Sequence, residues 1–138
     1  MFRALASIAI GGIPVFLQPL HAAQPEKRAP ETGKIVVYRI WKFAGAGRSL
    51  PVILDNRPRI KLENGYYYVF TVPAGNHLLV RTSDFGMKDK IAVHVDPEQT
   101  VYVDAHYGDW SGPIFEVADD QKEAKQRAAT LKEQTFTH

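Results

Sequence analysis

The sequence predicts an all-β domain, an antiparallel β-sandwich of about seven or eight short strands followed by a C-terminal helix. Segments rich in aromatic and β-branched residues recur along the chain, and glycine, proline and asparagine separate them. The clearest pair of segments lies within 65–83, on either side of Pro73-Ala74-Gly75. Since 138 residues are about the length of one domain, we expect a single sandwich built around this pair.

The amino terminus has the pattern of a secretory signal peptide. Residues 1–23 combine Arg3, an apolar run, and small residues at Ala22 and Ala23. An uncleaved anchor is the alternative, although the run is shorter than the roughly 20 apolar residues that span a bilayer. The chain has no cysteine, which excludes disulfides, cysteine metal sites and lipid attachment through cysteine. We therefore predict a periplasmic or secreted protein, with no stable membrane anchor if the signal is cleaved.

The predicted sandwich domain covers residues 34–117 and follows a polar, proline-containing lead-in at 24–33 that we expect to be disordered. Its first segment has apolar residues on both faces, which indicates a central strand. Stretches that contain glycine or proline separate the later segments. In order, strands are predicted at 34–41, 50–55, 59–62, both arms of 65–83, 91–95, 101–105 and 113–117.

Turn chemistry and alternation predict how the two arms of 65–83 pair. Pro73 presets the backbone of the first turn position and Gly75 tolerates positive φ, so a hairpin with a three-residue loop is expected. That register sets Tyr68 opposite Val80 and turns both side chains towards the core, with Leu79 on the other face.

Two further hairpins are predicted in the same way. A three-residue loop at 97–99 is expected to pair Val93 with Val103. The Asn64-Gly65 dipeptide tolerates the positive φ of a primed turn and is expected to join the segments that flank it.

Residues 118–138 are predicted to form a helical tail. Asp119 and Asp120 suit the positive end of a helix, and good helix formers follow them. The apolar stripe of Ala124, Ala128 and Leu131 is thin, so we expect the helix to pack lightly or to project into solvent.

A series of short motifs runs along the predicted domain: Tyr38-Arg39, Gly45-Ala46-Gly47, Asp55-Asn56, Asn64-Gly65-Tyr66, Pro73-Ala74-Gly75 and Tyr102. Their order resembles an uncharacterised bacterial family, the one catalogued as domain of unknown function 2846, which is typical of exported proteins and lipoproteins. The resemblance covers roughly residues 33–117 and implies a β-sandwich and an envelope location. It implies no activity, substrate or catalytic residue. The chain departs from the lipoprotein members because it lacks their cysteine.

Charge is unevenly distributed along the chain. The formal net charge of +2 is too small to indicate nucleic-acid binding. Residues 34–62 hold seven basic residues and one acid, whereas residues 63–138 hold seven basic and twelve acidic residues. The early strands would then form a basic surface for phosphates or carboxylates; the alternative is a solvated face that later strands neutralise. The predicted anion-binding residues are Arg48, Arg57, Arg59 and Lys61.

Aromatic residues at strand ends and in loops form a second predicted contact surface. Tyr107 and Trp110 are predicted to lie in a loop, Trp41 ends the first predicted strand, and Phe43 lies in the loop after it. Such side chains stack on sugars or anchor a protein partner. The alternative is that Trp41 and Trp110 plug the two ends of the core.

Three residues are candidates for metal binding and catalysis. With a hairpin around 97–99, His94, Asp104 and His106 share one face, and two imidazoles with a carboxylate are plausible metal ligands. The same alternation also places polar residues on a solvent face. No serine has the context of a nucleophile, and the glycine loop at 43–49 lacks a phosphate-binding fingerprint. No cofactor is predicted.

Together these features predict a non-catalytic exported module whose partner is an anionic envelope polymer or glycan. The alternative is an accessory module that docks on another envelope protein by a sheet edge or by the C-terminal helix. A metal-dependent hydrolase centred on His94, Asp104 and His106 is the third interpretation.

Overall fold

Two β-sheets and one helix make up the part of the chain that the computed structural model describes, residues 11–12, 14, 31–82, 88–108 and 112–136. Of the predicted signal peptide, residues 11, 12 and 14 are described, and of the predicted lead-in, residues 31–33. The rest of these two segments lies outside the described residues. The elements are β1 (Thr32–Tyr38), β2 (Leu50–Leu54), β3 (Ile60–Leu62), β4 (Tyr66–Pro73), β5 (Gly75–Thr82), β6 (Lys88–Val95), β7 (Thr100–Gly108), β8 (Gly112–Val117), α1 (Gln121–Ala129) and β9 (Lys132–Glu133).

The strands divide between a mixed sheet and an antiparallel one. Sheet A has the order β8-β7-β1-β4-β9, and sheet B has the order β3-β2-β5-β6. In sheet A, β1 runs parallel to β7 and β4 runs parallel to β9. The predicted two-sheet, mainly β fold with a C-terminal helix is confirmed, although sheet A is mixed where antiparallel pairing was expected. Parallel neighbours need a crossover connection, and the chain visits sheet B between the members of each parallel pair.

The predicted hairpin at 73–75 is wrong. β4 pairs with β1, and β5 pairs with β2 and β6, so the chain crosses from sheet A to sheet B at this turn. Tyr68 packs against the core as expected. In β5 the alternation is reversed, because Leu79 is fully buried while Leu78 is 47% exposed and Val80 is only half-buried.

The run Leu78-Leu79-Val80 explains the reversal, since it offers apolar side chains to both faces of β5. The core selects Leu79, which lies opposite the buried Leu54 of β2. A short turn with proline and glycine suits a strand that switches sheets as well as one that folds back on its neighbour.

The predicted hairpins at 97–99 and 64–65 are also crossings between sheets. β6 and β3 belong to sheet B, whereas β7 and β4 belong to sheet A. Val93 and Val103 both face the core, as expected, but from opposite sheets. Hairpins join β2 to β3, β5 to β6 and β7 to β8 instead. Within the connection of the first hairpin, Asp55 and Asn56 take φ values of 46° and 62°, and the Arg57 amide donates to Leu54 O at 2.8 Å, as in a primed turn.

The helix covers the outer face of sheet A. Val36 and Tyr38 of β1 pack there against Ala124 and Ala128, separately from the main core between the sheets. The Asp120 carboxylate caps the helix by accepting from the Glu123 amide at 2.9 Å. The helix therefore packs through small residues rather than projecting into solvent. It is shorter than predicted, because the chain returns after it as β9 to pair with β4.

Among the described residues, no helix has the length and apolar character required to cross a membrane.

Candidate functional site

A buried arginine directly after β1 organises one end of the sandwich. Arg39 is 4% exposed. Its Nη1 donates to the carbonyls of Arg48 (2.6 Å) and Leu62 (3.2 Å), and its Nη2 donates to the carbonyl of Gly45 (2.9 Å). The guanidinium carbon lies 5.4 Å from the centre of the Tyr107 ring, within cation–π distance. Burial lowers the pKa of the Arg39 guanidinium, but arginine keeps its charge in proteins.

These hydrogen bonds fold residues 43–48 over Arg39. Within the loop, the Ala46 amide donates to Phe43 O at 3.1 Å and the Arg48 amide donates to Gly45 O at 3.0 Å. Gly45 has φ of 82°, a backbone conformation that glycine adopts without a steric penalty. The carbonyls of Gly45 and Arg48 thus accept hydrogen bonds from the buried Arg39, and these bonds hold the backbone from which the Arg48 side chain extends.

The start of the loop is tied to the turn between β3 and β4. The Lys42 amide donates to Asn64 Oδ1 at 3.1 Å, and Asn64 Nδ2 donates back to Lys42 O at 2.8 Å. The Gly65 amide donates to Arg39 O at 3.1 Å, and the Arg39 amide donates to Tyr66 O at 3.0 Å. The backbone of Lys42 is therefore held by hydrogen bonds, while its side chain is exposed.

The loop and the end of β7 enclose a concave surface of about 660 Å³, which we call the basic cleft. None of the described residues that line it is acidic. The positive electrostatic potentials of cations that line a concave surface add together, because the walls of the cleft screen them less than open water does. The side chains that define the basic cleft are Arg39, Lys42, Arg48, Asn64, His106 and Tyr107.

A second concave surface, of about 430 Å³, lies between sheet A and α1 and is rich in carboxylates, and we call it the acidic cleft. Lys42 and His106 line both clefts. His106 Nδ1 lies 2.8 Å from Asp104 Oδ1. Burial, together with the Asp104 carboxylate, raises the pKa of Tyr38 to about 12, so its phenol stays protonated at neutral pH. The carboxylates that line the acidic cleft are Asp104, Glu116, Asp119, Asp120 and Glu123.

The predicted metal ligands are not brought together. Asp104 and His106 lie on sheet A, whereas His94 lies on sheet B and hydrogen-bonds to Asn76 (2.7 Å) and Asp96 (3.0 Å). The prediction assumed that β6 and β7 pair, and they belong to different sheets. Within the described part of the chain, no three histidine or acidic side chains form a group suited to a metal ion.

The four predicted anion-binding residues lie in different places. Arg48 lines the basic cleft. Arg59 and Lys61 line a separate groove beside β9, which they share with Phe136. Arg57 lies after the turn between β2 and β3, where its Nη2 donates to Thr71 O at 3.0 Å. Anion binding by any of the four stays a prediction.

The predicted contact aromatics differ in their surroundings. Tyr107 belongs to β7 rather than to a loop; it is half-buried, and its hydroxyl donates to Ser49 O at 2.9 Å. Trp110 lies outside the described residues. Trp41 does not plug the core, because it is 60% exposed, and Phe43 is 86% exposed. Among the described residues, Trp41 and Phe43 are the exposed aromatic side chains on either side of Lys42, which lines the basic cleft.

Arg39 and Lys42 line the basic cleft, but the sequence singled out neither as a site residue. Both contributed to the count of basic charge between residues 34 and 62, and Arg39 also belongs to the Tyr38-Arg39 motif of the family resemblance. Alternation along β1 gives no sign that Arg39 turns inward, because its partners are carbonyls supplied by the distant residues Leu62 and Arg48. The available signals for Arg39 were its place in the Tyr38-Arg39 motif and its position shortly before the glycine-rich loop.

No protein-family model matches the chain, and no curated protein matches it either. The resemblance to the uncharacterised bacterial family stays a prediction. Several residues that carry this resemblance meet in the loop described above, since Arg39 binds Gly45 O, and Asn64 holds Lys42.

Proposed function

We propose that this protein is a non-catalytic module of the cell envelope that binds anionic groups of an envelope polymer in the basic cleft. One observation carries the proposal: Arg39, Lys42 and Arg48 line a concave surface to which no described residue contributes an acid. Phosphates and carboxylates form short, charge-assisted hydrogen bonds with lysine and arginine. The envelope location is inferred from the signal-peptide pattern of residues 1–23.

The three cations have different roles in this proposal. Arg39 is buried and donates to three carbonyls, so it shapes the loop and contributes positive potential. Lys42 and Arg48 have exposed side chains and make the direct contacts with the anion. Arg59 and Lys61, in the groove beside β9, provide a second contact for a ligand long enough to reach it.

The test compares two double variants with equal changes of charge. Lys42→Ser/Arg48→Ser removes the exposed cations of the basic cleft, and Lys122→Ser/Lys125→Ser removes two exposed cations of α1 as a matched control. Binding of fluorescent polygalacturonate and of polyphosphate is measured at low salt. Loss of two charge-assisted contacts weakens binding by about tenfold, whereas the control stays within about twofold of the wild type.

Equal affinities of the two double variants would contradict the proposal, because general electrostatic attraction would then explain the binding. A further double variant, Arg59→Ser/Lys61→Ser, removes the same amount of charge from the groove beside β9. A larger loss in this variant than in the first would place the anion in the groove beside β9 instead.

A protein-docking role is the second candidate, favoured by the exposure of sheet B. β6 is an edge strand of that sheet, and the neighbouring Leu78 is 47% exposed on its outer face. Deleting residues 118–138 is not a clean test, since it would uncover Val36 and Tyr38. Leu78→Lys leaves the core intact, and loss of a cross-linked partner from this variant alone would support docking there.

A further inference from the structure

Trp41 lies beside the basic cleft and packs on Gly65, whose backbone is held by a hydrogen bond. Its Cβ, Cγ and Cδ1 atoms lie over Gly65, where an added Cβ atom would come within 3.4 Å of Cδ1. The Gly65 amide donates to Arg39 O, and two hydrogen bonds to Asn64 hold the adjacent Lys42. Trp41 is nevertheless 60% exposed. An aromatic side chain that is held in place but left in water is pre-organised to contact a ligand.

A ligand that reaches both Trp41 and the cations needs two chemical features. It needs an anionic group for Lys42 and Arg48, and a flat apolar face for the indole ring. A sugar ring that bears a phosphate or carboxylate has both, because its C–H groups form such a face. We propose that the ligand is an acidic saccharide, with its anionic group in the basic cleft and the adjoining sugar ring stacked on Trp41. This inference rests on the proposed function.

The chemistry of His106 fits the same ligand. Its Nδ1 lies 2.8 Å from the Asp104 carboxylate, which can only accept a hydrogen bond, so Nδ1 carries the proton. In the neutral ring Nε2 is then an acceptor. Since His106 is half-buried and lines the basic cleft, this acceptor suits a sugar hydroxyl.

Two other anionic ligands fit less well. Polyphosphate has no apolar face, so it would use the cations and leave Trp41 without a role. An anionic bilayer is flat, whereas the basic cleft is concave and the charge of Arg39 lies at a residue only 4% exposed. A volume of about 660 Å³ falls instead within the range of small-molecule sites.

The experiment uses Trp41 as its own reporter. The chain has two tryptophans, so Trp110→Phe leaves Trp41 as the single tryptophan, whose fluorescence is excited selectively. In this background, isothermal titration calorimetry, which needs no tryptophan, gives the affinities of every variant for trigalacturonate, glucose 1-phosphate and inorganic phosphate, and co-sedimentation gives those for phosphatidylglycerol vesicles. The emission of Trp41 then reports whether the ligand contacts the ring. Trp41→Leu keeps an apolar contact with Gly65 but removes the ring, and Phe43→Ala removes an aromatic side chain that is even more exposed.

We expect at least one of the two sugars to bind more tightly than inorganic phosphate and to shift the emission of Trp41. Trp41→Leu should lose about tenfold of that sugar affinity, with phosphate binding unchanged and Phe43→Ala within about twofold. The inference is overturned if neither sugar exceeds phosphate, or if Trp41→Leu binds them normally. It is also overturned if vesicles bind best and both aromatic variants lose that binding equally.

Failure of this inference is distinguishable from failure of the proposed function. If Lys42→Ser/Arg48→Ser loses phosphate and polymer binding while Trp41→Leu changes nothing, only the saccharide assignment fails. If the double variant binds like its control, the basic cleft itself is not the site.

Discussion

Replacing Arg39 should open the loop that forms the basic cleft and destabilise the whole domain. Arg39→Met keeps much of the side-chain volume but removes every hydrogen bond to the carbonyls of Gly45, Arg48 and Leu62. Removing a buried charge also removes its desolvation cost, which can make such substitutions neutral. Here the carbonyls stay behind without their donor, so the loss should outweigh that gain.

The magnitude follows from the surroundings of each carbonyl. The bond to Leu62 O is buried, and leaving a buried acceptor unsatisfied costs about 1–3 kcal/mol. The bonds to Gly45 O and Arg48 O are only partly buried, so water replaces the donor and each contributes about 0.5–1 kcal/mol. We expect Arg39→Met to lower the free energy of unfolding by about 2–5 kcal/mol. Arg39→Lys keeps the charge without the planar fork and should lose about half as much.

Two measurements check this prediction. Urea denaturation followed by circular dichroism gives the free energies of unfolding, and hydrogen exchange reports on the amides of Ala46 and Arg48. Both amides should exchange faster in Arg39→Met. The Arg57 amide, which donates to Leu54 O in the turn after β2, is the internal control and should change no more than global stability requires. A loss below about 0.5 kcal/mol, with unchanged exchange in the loop, would refute the role given to Arg39.

Two further predictions concern the sandwich. Gly33→Ala should cost about 1–3 kcal/mol of unfolding free energy in urea denaturation, because its Cβ would overlap Val95 Cγ1 and lie 2.7 Å from Gln99 O; wild-type stability would contradict this close packing. Burial tends to raise the pKa of the Asp55 carboxyl, but hydrogen bonds from the Leu78 amide and His77 hold it below its ordinary value. The ionised Asp55 carboxylate therefore contributes its full stabilisation above about 3.9, the pKa of aspartate in the unfolded chain. This stabilisation is lost as the pH falls through the lower pKa that Asp55 has in the folded protein. The stability gap between wild type and Asp55→Asn should be full at pH 6 and shrink below about pH 4, and a gap independent of pH would contradict the reasoning.

The sequence and the structure agree about local backbone and disagree about pairing. Chain reversals were predicted at 64–65, 73–75 and 97–99, and the chain turns at each. Each turn nevertheless crosses between sheets, while a hairpin forms around Asp55-Asn56, for which no strand pairing was predicted. Turn residues restrict φ and ψ over a few positions, and those restrictions do not say whether the next strand joins the same sheet.

The candidate site shows the same division. The concentration of basic charge between residues 34 and 62 is visible in the sequence and directs attention to Arg48. The inward turn of Arg39 is not visible, because the three carbonyls it binds come together only after β1, the glycine loop and β3 have folded. The support of Trp41 by Gly65 is hidden for the same reason, since the two residues lie in different connections.

The sequence by itself determined the strand content, the turn positions, most of the inward-facing residues and the helix that follows the sheets. These features depend on side-chain alternation and on the backbone preferences of a few adjacent residues. Only the tertiary structure decided which sheet each strand joined, which face of β5 was buried, and which cations came to share a cleft. Those outcomes depend on burial and hydrogen bonding between residues far apart in the chain, and a local pattern is compatible with more than one of them.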